Sequence, residues 1–172
     1  MDINSDSAEA YIREIIPNLK KEGFRINDNV AYKNQHFEYI AKKTSLEIDK
    51  SGFVTTAYLF SILPSISRES LQEFSKIAFK YTTRKVGRFI WPRSLFYSIV
   101  CFPVAIVNHI DTDVAHFIQN NVRKHWAACE MPVIYSLESR ELYYFELTPF
   151  WGKFYWEQMR TTICYMLLPR IP

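Results

Sequence analysis

Glycine is scarce in this chain, with four among 172 residues. Glycine-rich phosphate loops and GxSxG elbows are absent, which excludes the backbone cradles and nucleophile turns those motifs build. Cysteine is rarer still. Cys101, Cys129 and Cys164 form no CxxC pair and leave an odd count. That pattern excludes a zinc knuckle and a disulfide framework and suits reduced thiols in a cytosol. No apolar run approaches the ~20 residues that span a bilayer; the longest, Phe96–Ile110, is shorter and contains Pro103. The first residues, Met1-Asp2-Ile3-Asn4-Ser5-Asp6, are polar and acidic rather than leader-like. A cytoplasmic protein without a membrane partner is therefore expected. Acidic residues are also missing between Glu73 and Asp111, where Lys76, Lys80, Arg84, Lys85, Arg88 and Arg93 all fall.

Aromatic residues are abundant: 13 Phe, 11 Tyr and 4 Trp. They imply a heavily packed core, and a surplus that self-association could bury. The net charge of +3 is too small to argue for nucleic acid by itself, so the distribution of charge matters more. The length fits one domain, residues 1–172.

The Phe96–Ile110 run is rich in β-branched residues and lacks in-out alternation, which points to a strand covered on both faces. Proline cannot donate to a ladder, so the strand proper is expected at Val104–Asn108, with Pro103 at its entry. A first helix is expected over Ser7–Ile16, kinked or shortened by Pro17 and stopped near Gly23. His36–Asp49 and Phe53–Leu63 read as a hairpin turning at Lys50-Ser51-Gly52. Ser67 should cap a helix running to about Arg84, with Leu71, Phe74, Ala78 and Tyr81 as its buried stripe. A further helix is expected from Thr112 or Asp113 to about Trp126. Strands follow at Val133–Leu137 and Glu141–Leu147, and a last helix, apolar nearly all round, begins at Thr148-Pro149. The order α-β-β-α-β-α-β-β-α implies an α/β or α+β domain with a mixed sheet of about five strands.

Four constellations carry possible chemistry. His109, Asp111, Asp113 and His116 gather where a buried strand gives way to a helix, the usual position for sites in open α/β sheets. His109, Asp111 and His116 are the candidates for metal-assisted hydrolysis; the plainer reading is a capped helix with solvated histidines. His125 and Cys129, with Glu130 beside them, would form an imidazole–thiol pair if they shared a helix face; otherwise they are core residues. Glu47-Ile48-Asp49-Lys50 invites comparison with the carboxylate-x-lysine motif of metal-dependent nucleases. In a strand, however, Lys50 points away from both carboxylates, as on any half-exposed hairpin. Lys76, Lys80, Arg84, Arg88 and Arg93, interleaved with aromatics, are the candidates for binding nucleic acid or another polyanion; the competing view is a solvated basic helix face.

No motif names a reaction, a cofactor or a metal. The expected function is a non-catalytic cytosolic interaction domain that self-associates as a homo-oligomer, with Trp151, Phe154, Tyr155 and Trp156 as interface candidates. Polyanion binding and metal-assisted hydrolysis are the alternatives.

Overall fold

The structure, a computed structural model, describes residues 5–47, 52–86, 97–125, 128–148 and 153–169. Helix α1 (Ser5–Lys21) runs through Pro17 without interruption. It ends where Gly23 adopts φ +86°, with Gly23 N donating to Lys20 O and Phe24 N to Leu19 O, both at 3.0 Å. This paired capping geometry requires a left-handed residue, which glycine adopts without a Cβ clash. Gly23→Ala should therefore cost about 1–2 kcal/mol, read as a lower urea midpoint with an unchanged slope.

The chain then enters β1 (Arg25–Tyr32), β2 (Gln35–Glu47) and β3 (Gly52–Ile62), an antiparallel meander. Helix α2 (Arg68–Tyr81) returns it so that β4 (Tyr97–Val107) lies parallel to β3. Ser67 caps α2 as expected, its side chain accepting from Ser70 N while Ser70 Oγ closes the reciprocal bond. Past α3 (Thr112–Asn120) come β5 (Lys124–His125), β6 (Ala128–Glu130) and β7 (Val133–Ser136). Strands β6 and β7 both run parallel to β4 on the side away from β3, and β8 (Glu141–Tyr144) adds antiparallel to β7. Helix α4 (Lys153–Leu167) closes the described chain. The mixed α/β sheet is the class that the sequence indicates, with eight strands among the described residues in place of about five.

Alternation along β4 divides the core. Val100, Phe102, Val104 and Ile106 face one way, in the cluster with α1 and α4; Cys101, Ala105 and Val107 face α2 and α3. The sheet is thus covered on both faces, which is why its central strand reads as an unbroken apolar run. The aromatic-rich α4 is more amphipathic than its composition suggests. Trp156, Met159, Ile163, Met166 and Leu167 are buried, while Glu157, Gln158 and Thr161 are exposed. Among the described residues no helix is long and apolar enough to cross a membrane, and the three cysteines are unbridged.

Three expectations are corrected. Strand β4 begins at Tyr97 and carries Pro103 in its middle rather than at its entry. The carbonyls of Cys101 and Val107 accept from Met131 N and Leu137 N, whereas that of Ile106 accepts from Leu63 N. In a parallel strand alternate residues bond to opposite neighbours, so the nitrogen of Pro103 points toward the β6–β7 side. There the ladder is already broken between Glu130 and Val133, and the missing donor is accommodated by that gap.

Strand β1 has no counterpart among the expected elements. It is an edge strand with few buried positions, interrupted by Asn29 at φ 50°, and so it carries little hydrophobic signal. Helix α3 ends at Asn120, well before Trp126. Asn120 Nδ2 and Asn121 Nδ2 donate to the carbonyls of His116 (2.7 Å) and Phe117 (2.9 Å), competing with continuation of the helix.

Candidate functional site

The cations at the open end of the β1–β2 ladder come together by register. Arg25, the first residue of β1, lies directly opposite Lys42 on β2. The next residue, Lys43, turns to the opposite face, where Nζ donates to Glu22 O at 2.7 Å and lies 5.8 Å from the Phe24 ring centroid. Phe24 is itself held edge-on to Tyr58, with centroids 5.4 Å apart. Thr44 is tied across the hairpin to Thr55, hydroxyl to hydroxyl, at 2.7 Å. Gly23, Arg25, Lys42, Lys43, Thr44 and Val86 line one concavity of about 390 Å³.

Among the described residues three cations thus line this concavity and no carboxylate does. Like charges directly opposite one another across a strand pair are destabilising. Among the described residues neither Arg25 nor Lys42 has an ion-pair or hydrogen-bond partner to offset that repulsion. Lys20 and Lys21, in the last turn of α1, extend the positive surface on the side of Gly23.

Val86 connects this concavity to the basic helix singled out in the sequence. Thr82–Val86 widens into a π-helical turn, where Thr82 Oγ1 and Thr83 Oγ1 donate to the carbonyls of Ala78 (2.9 Å) and Phe79 (3.0 Å). Hydroxyls inserted against the backbone ladder favour such a turn. Arg84 and Lys85 are exposed on it; Lys80 is half-buried, and Lys76 is exposed and bonded to Glu73 at 3.3 Å. Arg88 and Arg93 lie outside the described residues. Arg25, Lys42 and Lys43 are not among the candidates that the sequence pattern picks out. Lys42-Lys43 is visible only as a break in strand alternation, and the pairing with Arg25 is set by a strand the sequence does not reveal.

The remaining candidates do not assemble. His109 Nδ1 lies 2.8 Å from Glu138 Oε2, and its Nε2 lies 3.9 Å from Asp111 Oδ1, all three side chains well exposed. Asp113 pairs instead with Arg68 across α2 and α3, and His116 is exposed on α3. Among the described residues no group of three or more His, Cys, Asp or Glu side chains is placed to hold a metal. His125 and Cys129 share no helix: His125 pairs with Ala128, and Lys124 with Cys129, in a short antiparallel ladder. Cys129 is buried and its Sγ contacts Met159 Sδ at 3.6 Å. Glu47 ends β2, and Asp49 and Lys50 lie outside the described residues.

Most of the described aromatics point inward. Trp156 is 3% exposed and meets Phe145 edge-on, with centroids 5.2 Å apart, in the core rather than on the surface. Trp151 and the side chains of Phe154 and Tyr155 lie outside the described residues. Comparison with protein-family models, curated proteins and solved structures found no match to this chain.

Proposed function

We propose that this domain binds nucleic acid through the concavity at the open end of the β1–β2 ladder, with Arg25, Lys42 and Lys43 contacting the phosphates. One observation carries the reading: two directly opposed cations and a third share one concavity whose lining, among the described residues, includes no carboxylate. A phosphodiester backbone would relieve the mutual repulsion of Arg25 and Lys42. Exposed Arg84 and Lys85, on the turn that ends at Val86, would lengthen the positive track. Contacts of this kind position a backbone without reading bases, so binding should show little sequence preference.

The test is fluorescence anisotropy of a short labelled single-stranded oligonucleotide across a salt series. Three neutralised phosphates predict a slope of about −2 for log K against log salt. Lys42→Ala should reduce the magnitude of that slope by about 0.7. The double reversal Arg25→Glu, Lys42→Glu should weaken binding at least tenfold, with the circular dichroism spectrum unchanged. Absence of binding at low salt, or binding indifferent to salt and to the reversal, overturns the reading.

A further inference from the structure

Register carries one face of the sheet from the core out to solvent. Lys42 pairs with Ala57, Thr44 with Thr55 and Leu46 with Phe53 in an unbroken antiparallel ladder between β2 and β3. These side chains therefore share a face, the one on which Arg25 meets Lys42. Toward the middle of the sheet, Ile40, Ala57 and Leu59 of this face are buried with α2 and α3. At its open end Thr44, Leu46 and Phe53 are exposed. The Thr44–Thr55 hydroxyl bond lies between the cations and the apolar pair.

Leu46 is 62% exposed and Phe53 43%. Strand geometry sets that exposure: Val54, the next residue, is buried with α1 and α4, so Phe53 must point the other way. The other exposed large apolar side chains among the described residues are Leu147, Tyr165 and Leu168. Tyr165 is engaged through its hydroxyl, which donates to Glu22 Oε1 at 3.0 Å, and Leu147 and Leu168 lie outside the strands. Single exposed apolar residues are ordinary on a protein surface. Leu46 and Phe53 are instead directly opposed, and they stand on the same face as two cations.

We propose that the Leu46–Phe53 pair is a base-stacking platform, and that the nucleic acid held at the adjoining concavity is single-stranded. The proposal rests on the phosphate-binding reading of that concavity. Leu46 lies four residues beyond Lys42 along β2, about 13 Å in an extended strand. Phosphates along one strand of B-form DNA are about 3.4 Å apart, so a backbone seated on Arg25 and Lys42 reaches Phe53 within a few nucleotides. An aromatic ring accepts the π-face of any base, which adds affinity without sequence preference. In a duplex those faces are already stacked on their neighbours and are closed to Phe53.

The test is fluorescence anisotropy with three labelled ligands of equal phosphate content: a single-stranded oligonucleotide, the same strand carrying abasic residues, and a duplex. The parent should bind the base-bearing strand most tightly, by at least about fivefold over the abasic one. Phe53→Ala should remove that advantage and leave the abasic affinity, the duplex affinity and the salt slope unchanged, because no phosphate contact is lost. Phe53→Leu keeps apolar bulk against Leu46 without a ring and should behave like the alanine variant, whereas Phe53→Trp should bind the base-bearing strand at least as tightly as the parent. Circular dichroism checks that each variant is folded, and the Leu and Trp variants carry the comparison should Phe53→Ala fail to fold. Equal binding of base-bearing and abasic strands by the parent, or parent-like binding by Phe53→Leu, overturns the stacking platform and leaves the phosphate site in place. So does a Phe53→Ala variant that loses binding to phosphatidylserine vesicles with its strand affinity unchanged, a result that assigns the pair to a membrane surface. Absence of salt-dependent binding to all three ligands overturns both readings together.

Discussion

Ile106→Asp is expected to leave this protein without a folded state. Ile106 is fully buried on β4, between Ile62 of β3 and Tyr135 of β7, and faces the core beneath α1 and α4. Ionised aspartate there would be a charge in an apolar layer, at a cost of several kcal/mol. The substitution also forfeits the burial of a large aliphatic side chain, worth about 1.5–3 kcal/mol. Together these approach or exceed the ~5–15 kcal/mol that separates a typical native state from the unfolded chain. Ile106→Val, which removes one methylene and adds no charge, should cost only about 1 kcal/mol. Circular dichroism and a sizing column distinguish the cases: the aspartate variant should lose its helical signal or aggregate, while the valine variant should match the parent. A folded, soluble Ile106→Asp protein would contradict the central position of β4.

That position was legible because burial on both faces leaves a plain record, an apolar run rich in β-branched residues with no in-out alternation. The Ser67 cap and the Gly23 stop were legible for a similar reason, since each is a local backbone requirement that few residues satisfy. The extent of β4 was not. Whether a proline interrupts a strand depends on which neighbour its nitrogen faces, and at Pro103 that neighbour is itself broken between Glu130 and Val133. Strand β1 escaped because an edge strand exposes most of its side chains and keeps only its ladder, which leaves no pattern to read. The candidate site escaped with it: Arg25 and Lys42 are far apart in sequence and meet only through β1–β2 register. The His109 cluster shows the converse. Closeness in sequence across a strand end and a helix start brings only His109 and Asp111 near one another, both well exposed, while Asp113 is engaged by Arg68.

At position 58 the sign of the stability change should depend on which part of the tyrosine is removed. Tyr58 is fully buried on β3, stacked on Phe102 with centroids 4.8 Å apart and met edge-on by Phe24 at 5.4 Å. Its ring fills the middle of the layer beneath α1 and α4. Its hydroxyl, in contrast, has no hydrogen-bond partner among the described residues, and an unsatisfied buried hydroxyl costs about 1–3 kcal/mol. Tyr58→Phe keeps the stack and deletes the orphaned group, so it should raise stability by about 1–2 kcal/mol. Tyr58→Ala keeps neither and should lose about 3–5 kcal/mol to the cavity it opens. Alkaline pH supplies an independent check. Burial holds the Tyr58 phenol well above its usual value of 10, so above that pH the unfolded chain releases a proton that the folded chain retains. Stability therefore falls as pH rises, by about 1.4 kcal/mol per pH unit for each such group. Burial raises the Tyr11 phenol as well, and its hydroxyl donates to Leu167 O at 2.9 Å, so Tyr58→Phe should make the alkaline decline shallower without removing it. Urea denaturation of the parent and both variants, at neutral pH and again above pH ~10, measures each effect. A Phe variant less stable than the parent would show that the Tyr58 hydroxyl is satisfied after all, whereas an alkaline slope identical in the parent and the Phe variant would show that the Tyr58 phenol ionises in the folded chain as readily as in the unfolded one.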